Sequence, residues 1–139
     1  MAVRAKERRY AVEVDADGRS SAESGTAAEV PADWKPEHLL LAAVVRCSLI
    51  SLRHAASRRN AVARGAGRAR GTVTRRDDGC YAFVEITVEL EVEVMPAPEG
   101  DGLADLLDHA ERGCFVGNSL TAKPRYRWTV NGAPVASAA

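Results

Sequence analysis

Pro36-Glu37-His38-Leu39-Leu40-Leu41-Ala42-Ala43-Val44-Val45-Arg46-Cys47 opens a stretch with no further proline before Gly65. Pro36 suits the first position of a helix, where its missing N–H costs nothing, and Glu37 complements the positive end of the helix dipole. Leu39–Val45 is apolar on every side, the pattern of a helix inside a core. Past Arg53 the segment turns polar and basic. With Gly65 and Gly67 as stop signals, the pattern predicts one helix over Pro36–Arg64, about 43 Å long.

Downstream, Tyr81–Val94 alternates strictly. Ala82, Val84, Ile86, Val88, Leu90, Val92 and Val94 fall on one face, and Glu85, Thr87, Glu89, Glu91 and Glu93 on the other. That is a strand with one buried and one wet face, about 46 Å long and so matched in length to the helix. Asp77-Asp78-Gly79 is a hairpin turn, which makes Arg68–Arg75 the partner strand. Upstream, Arg8–Val14 alternates like a strand, Asp15-Ala16-Asp17-Gly18-Arg19 supplies a turn, and Ser20–Val30 reads as the returning strand. After the cysteine-bearing helix and the long strands, Leu103–Arg112 forms an amphipathic stripe with Asp101 as its expected cap. A last strand over Lys123–Asn131 ends at Asn131-Gly132, and Ala133–Ala139 is read as a frayed tail. The order of elements gives an α+β fold in a single domain over 1–139.

Composition narrows the function classes. Nineteen basic and nineteen acidic residues cancel, against the basic excess of a nucleic-acid or anionic-membrane binder. Hydrophobic residues make up 46% of the chain and aromatic residues 5%, so Val, Leu and Ala must build the core. The longest fully apolar run is Leu39–Val45, the N-terminus opens with charges, and neither pattern reads as a membrane span or signal peptide. A cytoplasmic protein is expected, with no nucleic-acid or membrane partner. The cations between Leu39 and Arg76 and the acids between Asp77 and Glu111 are segregated along the chain. They form either two compensating solvated surfaces or a docking face for an acidic reductant protein.

Three cysteines, Cys47, Cys80 and Cys114, are too few and too scattered for a disulfide framework. Cys47 and Cys114 are either small hydrophobes filling gaps or a dithiol pair in which one thiolate attacks and the other resolves. Cys80 opens the alternating strand and reads as packing. His38, His54 and His109 lack metal-ligand spacing, so no metal and no bound cofactor is expected.

Lys35-Pro36-Glu37, with Cys47 ten positions after the glutamate, resembles the OsmC and organic hydroperoxide resistance family, in which an Asn/Lys-Pro-Glu motif opens the central cysteine helix. Cys114-Phe115-Val116-Gly117-Asn118-Ser119-Leu120 is similar to that family's second cysteine segment after a short helix. The order of elements agrees along nearly the whole chain.

The resemblance implies a sheet wrapped around a long buried central helix, in an intertwined homodimer with active sites at the subunit interface. It implies a thiol-dependent peroxidase acting on organic hydroperoxides, recycled by an external thiol such as a dihydrolipoyl group. Cys47 corresponds to the peroxidatic cysteine, Cys114 to the resolving one, and Glu37 to a glutamate that orients an arginine. Arg19, in the N-terminal turn, is the best match to that arginine. Arg46, Phe115 and Gly117 depart from the family pattern. They leave a second reading, an OsmC-fold protein that binds a small apolar ligand or senses oxidants without turnover.

An ordinary thiol, with a pKa near 8.5, is about 3% thiolate at pH 7. Full ionisation by a neighbouring guanidinium raises reactivity roughly 30-fold at most, because nucleophilicity falls with pKa. Any further acceleration must come from donors aimed at the departing oxygen.

Overall fold

The computed structural model describes residues 5–136, in two compact units that divide between Pro36 and Glu37. The first is a small antiparallel sheet of β1 (Val12–Val14), β2 (Ser20–Ala22) and β3 (Ala27–Ala28), in that order. Its first turn closes on Asp15, whose carboxylate accepts the backbone N–H groups of Asp17 and Arg19, both at 2.9 Å. Gly18 adopts the left-handed φ of 84° that the turn requires.

The second unit runs α1 (Pro36–Ser57), β4 (Val62–Arg75), β5 (Tyr81–Met95), α2 (Asp101–Arg112), α3 (Phe115–Asn118), β6 (Arg125–Val130) and β7 (Ala133–Pro134). Its four-stranded sheet has the order β4-β5-β6-β7. β4 and β5 form one long antiparallel ribbon, and β6 lies parallel to β5, with Val88 opposite Tyr126 and Leu90 opposite Trp128. Helices and a mostly antiparallel sheet make this an α+β fold.

The helix is shorter than its pattern predicts. It ends at Ser57 because Asn60, at φ 57°, takes the left-handed position that follows a helix. Ala61 N–H reaches the Ala56 carbonyl at 2.9 Å and Asn60 N–H the Ser57 carbonyl at 3.1 Å, the paired bonds of a Schellman cap. Gly65 and Gly67 do not stop the helix; both lie inside β4. A side chain at Gly67 would meet Leu90 at 2.6 Å and Val45 at 3.2 Å, so glycine lets the ribbon pass close over α1. At 22 residues α1 is about 33 Å long. The ribbon outruns it, and the predicted match in length does not hold.

α1 is long and apolar enough to cross a membrane by length and composition alone. Here one stripe, Val44, Ser48, Leu52, Ala55 and Ala56, is buried instead. Its core partners are Ile86, Val88, Leu90, Val92 and Val94 of β5, Leu106, Leu107 and Ala110 of α2, and Trp128 and Val130 of β6. The apolar run is not buried all round, for Leu39 remains 43% exposed, and further along α1 Ile50 is 58% exposed.

Three further expectations change. The pairing shifts between Thr72 and Val73, which oppose Glu85 and Phe83, so Val84 is an extra residue and leaves the core face. Asp101 is the first residue of α2 and not its cap; Gly100 occupies the cap position without a side-chain bond. Ala133 and Pro134 are not frayed, because Asn131 and Gly132, at φ 51° and 82°, turn the chain back onto Thr129 and Val130. Residues 137–139 lie outside the described chain.

The segregated charges meet across the ribbon. Glu89 receives Arg68 at 3.3 Å and Arg70 at 3.0 Å, and Arg64 lies 3.9 Å from Glu93. Compensation of this kind is a property of the sheet's wet face.

The cap carries a test. Asn60→Gly keeps the left-handed turn and stability, whereas Asn60→Val destabilises by about 1–2 kcal/mol, since a β-branched residue tolerates that region poorly. Urea unfolding of the two variants reads the difference.

Candidate functional site

The stripe Val44–Ser48–Leu52 faces the core, which leaves Cys47, one residue before Ser48, on the flank of α1 and only partly buried. The end of α2 comes close to this flank. A side chain at Gly113 would stand 2.5 Å from Ser51 Oγ, so glycine permits the approach. Ser51 Oγ donates to the Ala110 carbonyl at 2.7 Å and fixes it.

The next residue, Cys114, is thereby delivered to α1 and is fully buried. Its extended backbone begins α3, and its Sγ accepts the Gly117 N–H at 3.4 Å. The same sulfur lies 3.6 Å from Ser48 Oγ, which donates to the Val44 carbonyl at 2.7 Å.

The Cys47 thiol is held above its ordinary pKa, first by burial and then by Cys114. The backbone N–H groups of Val116 and Phe115 oppose this as donors to the sulfur. No guanidinium is among these influences, and Arg46, next to Cys47 in sequence, is exposed. At neutral pH this environment holds Cys47 as the thiol. Burial thus acts against the chemistry that the cysteine pair suggests.

Of the four residues singled out in the sequence, this unit brings together Cys47 and Cys114. Glu37 is exposed in the first turn of α1, ten residues or about 15 Å along the helix from Cys47. Arg19 is exposed in the turn of the N-terminal sheet. Cys80 is exposed, after the Asp77–Gly79 turn. Among the described residues no three His, Cys, Asp or Glu side chains gather to hold a metal ion.

Two residues of the site escaped sequence reading. Ser48 is the sole buried polar side chain of α1. Tyr126 stacks on Trp128 with ring centroids 6.2 Å apart, and its buried hydroxyl has no well-formed hydrogen bond. Burial pushes the pKa of that hydroxyl far up, and Ser48, Cys114 and Glu111 are the side chains that also act on it. Alternation of Tyr126, Trp128 and Val130 points inward in the sequence; the meeting of Tyr126 with Cys114 depends on the parallel β5–β6 pairing.

The model of the family described as OsmC-like protein matches residues 25–129. This chain belongs to the OsmC-like family. Its fold is similar to that of an OsmC-like protein of unknown function from Vibrio cholerae, with a TM-score of 0.71 at 13% identity, covering 88% of this chain and all of the other. An OsmC-like protein from Mycoplasma pneumoniae gives 0.62 at 18% identity, over 90% of this chain and 97% of the other. An organic hydroperoxide resistance protein from Elizabethkingia anophelis, with thiocyanate from the crystallant bound, gives 0.62 at 16% identity, over 90% and 96%. No curated protein matches the sequence. Cys47 and Cys114 meet within one compact unit of this chain.

Their unequal burial predicts an order of labelling. In native buffer iodoacetamide modifies Cys80 and Cys47, and Cys114 only after denaturant is added. Cys114 labelled natively at the rate of Cys80 would contradict this packing.

Proposed function

We propose that this OsmC-like protein is a cytoplasmic, thiol-dependent peroxidase that reduces organic hydroperoxides, with Cys47 as nucleophile and Cys114 as resolving thiol. The observation that carries the reading is the juxtaposition of a partly exposed cysteine and a fully buried one, beside two backbone N–H donors.

In the first step the Cys47 thiolate attacks the terminal peroxide oxygen. An S–O bond forms, the O–O bond breaks, and the alkoxide takes a proton and leaves as the alcohol. Cys47 is now a sulfenic acid. Cys114 then attacks its sulfur, an S–S bond forms, the S–O bond breaks, and the hydroxyl departs as water with the Cys114 proton. An external dithiol of the dihydrolipoyl class, carried on an acidic protein, returns both cysteines to thiols and is itself oxidised.

The raised Cys47 pKa sets what the rest of the protein must supply. Arg19 is the cation of this proposal, with Glu37 orienting it, the roles that the family resemblance gives them. A guanidinium would stabilise the thiolate and donate to the departing oxygen in one fixed fork. The working unit of the proposal is a homodimer. The uncovered side of α1, with Leu39 and Ile50, supports a second copy packing there.

The alternative is an OsmC-fold protein that binds a small apolar ligand or senses oxidants. The departures Arg46, Phe115 and Gly117 favour it. A peroxide-consumption assay with a dithiol reductant separates the two: turnover supports the enzyme, and oxidation that stops after one equivalent supports the sensor.

Cys47→Ser abolishes consumption with the fold intact, and Cys114→Ser accumulates the sulfenic acid and overoxidises at excess peroxide. Undiminished turnover in Cys47→Ser removes the mechanism. Arg19→Ala moves the pH midpoint of Cys47 alkylation upward, since burial then acts uncompensated. Turnover in that variant falls by more than the roughly 30-fold that thiolate fraction explains. Glu37→Gln is milder, because an amide still accepts one bond. An unchanged midpoint and rate in Arg19→Ala would assign the cation elsewhere, with Arg46 first in line.

A further inference from the structure

Ser48 has a single hydroxyl proton, and the 2.7 Å bond to the Val44 carbonyl uses it. In the 3.6 Å contact between Ser48 and Cys114 the thiol must therefore be the donor. Ser48 thus holds the Cys114 proton and favours the neutral thiol. When Cys114 attacks, that proton leaves and the sulfur carries negative charge. The Gly117 N–H, 3.4 Å from the sulfur, remains as one donor.

A second hydroxyl lies beside it, with Ser48 and Cys114 as polar neighbours and no well-formed bond of its own. A Cβ at Gly117 would stand 3.0 Å from Tyr126 Oη and 3.3 Å from Cys114 Sγ, so both atoms border the space that glycine leaves open. Tyr126 Oη is buried and has no well-formed bond in the reduced protein. An unused buried hydroxyl destabilises a fold, and phenylalanine would stack on Trp128 equally well.

We propose that Tyr126 is a positioning residue for resolution: its hydroxyl, idle while Cys114 is a thiol, donates to the Cys114 sulfur as that sulfur becomes the nucleophile. Ser48 and Tyr126 then act in opposite senses on one atom. Ser48 accepts from the resting thiol, and Tyr126 donates to the attacking thiolate. The high pKa of the phenol keeps it protonated throughout the neutral range. The bonds exchanged are those of resolution: S–S forms, S–O breaks, and the Cys114 proton leaves with the hydroxyl as water. This inference rests on the proposed dithiol mechanism, and its test does not use peroxide.

In a Cys80→Ser background, dithionitrobenzoate loads Cys47 and releases one thionitrobenzoate. Cys114 then attacks the Cys47 sulfur of the mixed disulfide and expels a second one, read by absorbance. Loading is complete first, so the second phase reports Cys114 alone. Tyr126→Phe slows that phase about tenfold and moves its pH midpoint up by about one unit, as expected for loss of a hydrogen bond to a charged group. Thermal unfolding is not lowered, because a buried hydroxyl without a partner has been removed. Ser48→Ala moves the midpoint the other way. A second phase in Tyr126→Phe with wild-type rate and midpoint would reduce Tyr126 to packing and overturn the inference. No second release from the Cys80→Ser parent would instead remove the cysteine pairing beneath it.

Discussion

The site depends on one close approach, that of the C-terminal end of α2 to the flank of α1 at Gly113. A side chain there would collide with Ser51, whose hydroxyl holds the Ala110 carbonyl at 2.7 Å. Because that approach is fixed, Cys114 follows directly into contact with Ser48, and α3 turns its first N–H groups toward Cys47. The core stripe of α1 and the apolar face of α2 supply the force, since Leu52, Leu106, Leu107 and Ala110 bury together. Two cysteines sixty-seven positions apart thus become neighbours through ordinary helix packing.

That packing gives the sulfurs opposite burdens. Burial raises the Cys47 pKa, and the adjoining thiol raises it further. Two backbone N–H groups are the local counterweight within this unit. A reactive thiolate at neutral pH therefore needs a cation, and the proposed function assigns that role to Arg19. Cys114, sealed from water and held by Ser48, is protected from direct reaction with oxidants. Such a pairing suits a resolving thiol, which must wait for its partner to be oxidised.

Much of this was legible in the sequence. The strict alternation of Ile86 to Val94 survives as five buried side chains, and the α+β order of elements stands. Cys47 and Cys114 were marked by motif resemblance, and the second unit brings them together. The helix ends short of its sequence pattern: glycine is the commoner stop signal, while Asn60 adopts the same left-handed backbone at modest strain. Val84 leaves the face its alternation predicts because a bulge adds a residue to one strand without any mark in the hydrophobic pattern. Ser48 and Tyr126 stayed hidden for a different reason. Their chemistry arises from a parallel pairing and a loop approach that join distant segments, and no local period encodes either.

The central claim is that Cys47 and Cys114 act as one redox unit. A crystal structure of the protein treated with one equivalent of an organic hydroperoxide tests it most directly. The account predicts a Cys47–Cys114 bond with sulfurs about 2.05 Å apart, α1 and α2 in place, and Cys80 reduced. Cys47 carrying oxygen while Cys114 remains a free thiol, or a disulfide formed through Cys80, would contradict it.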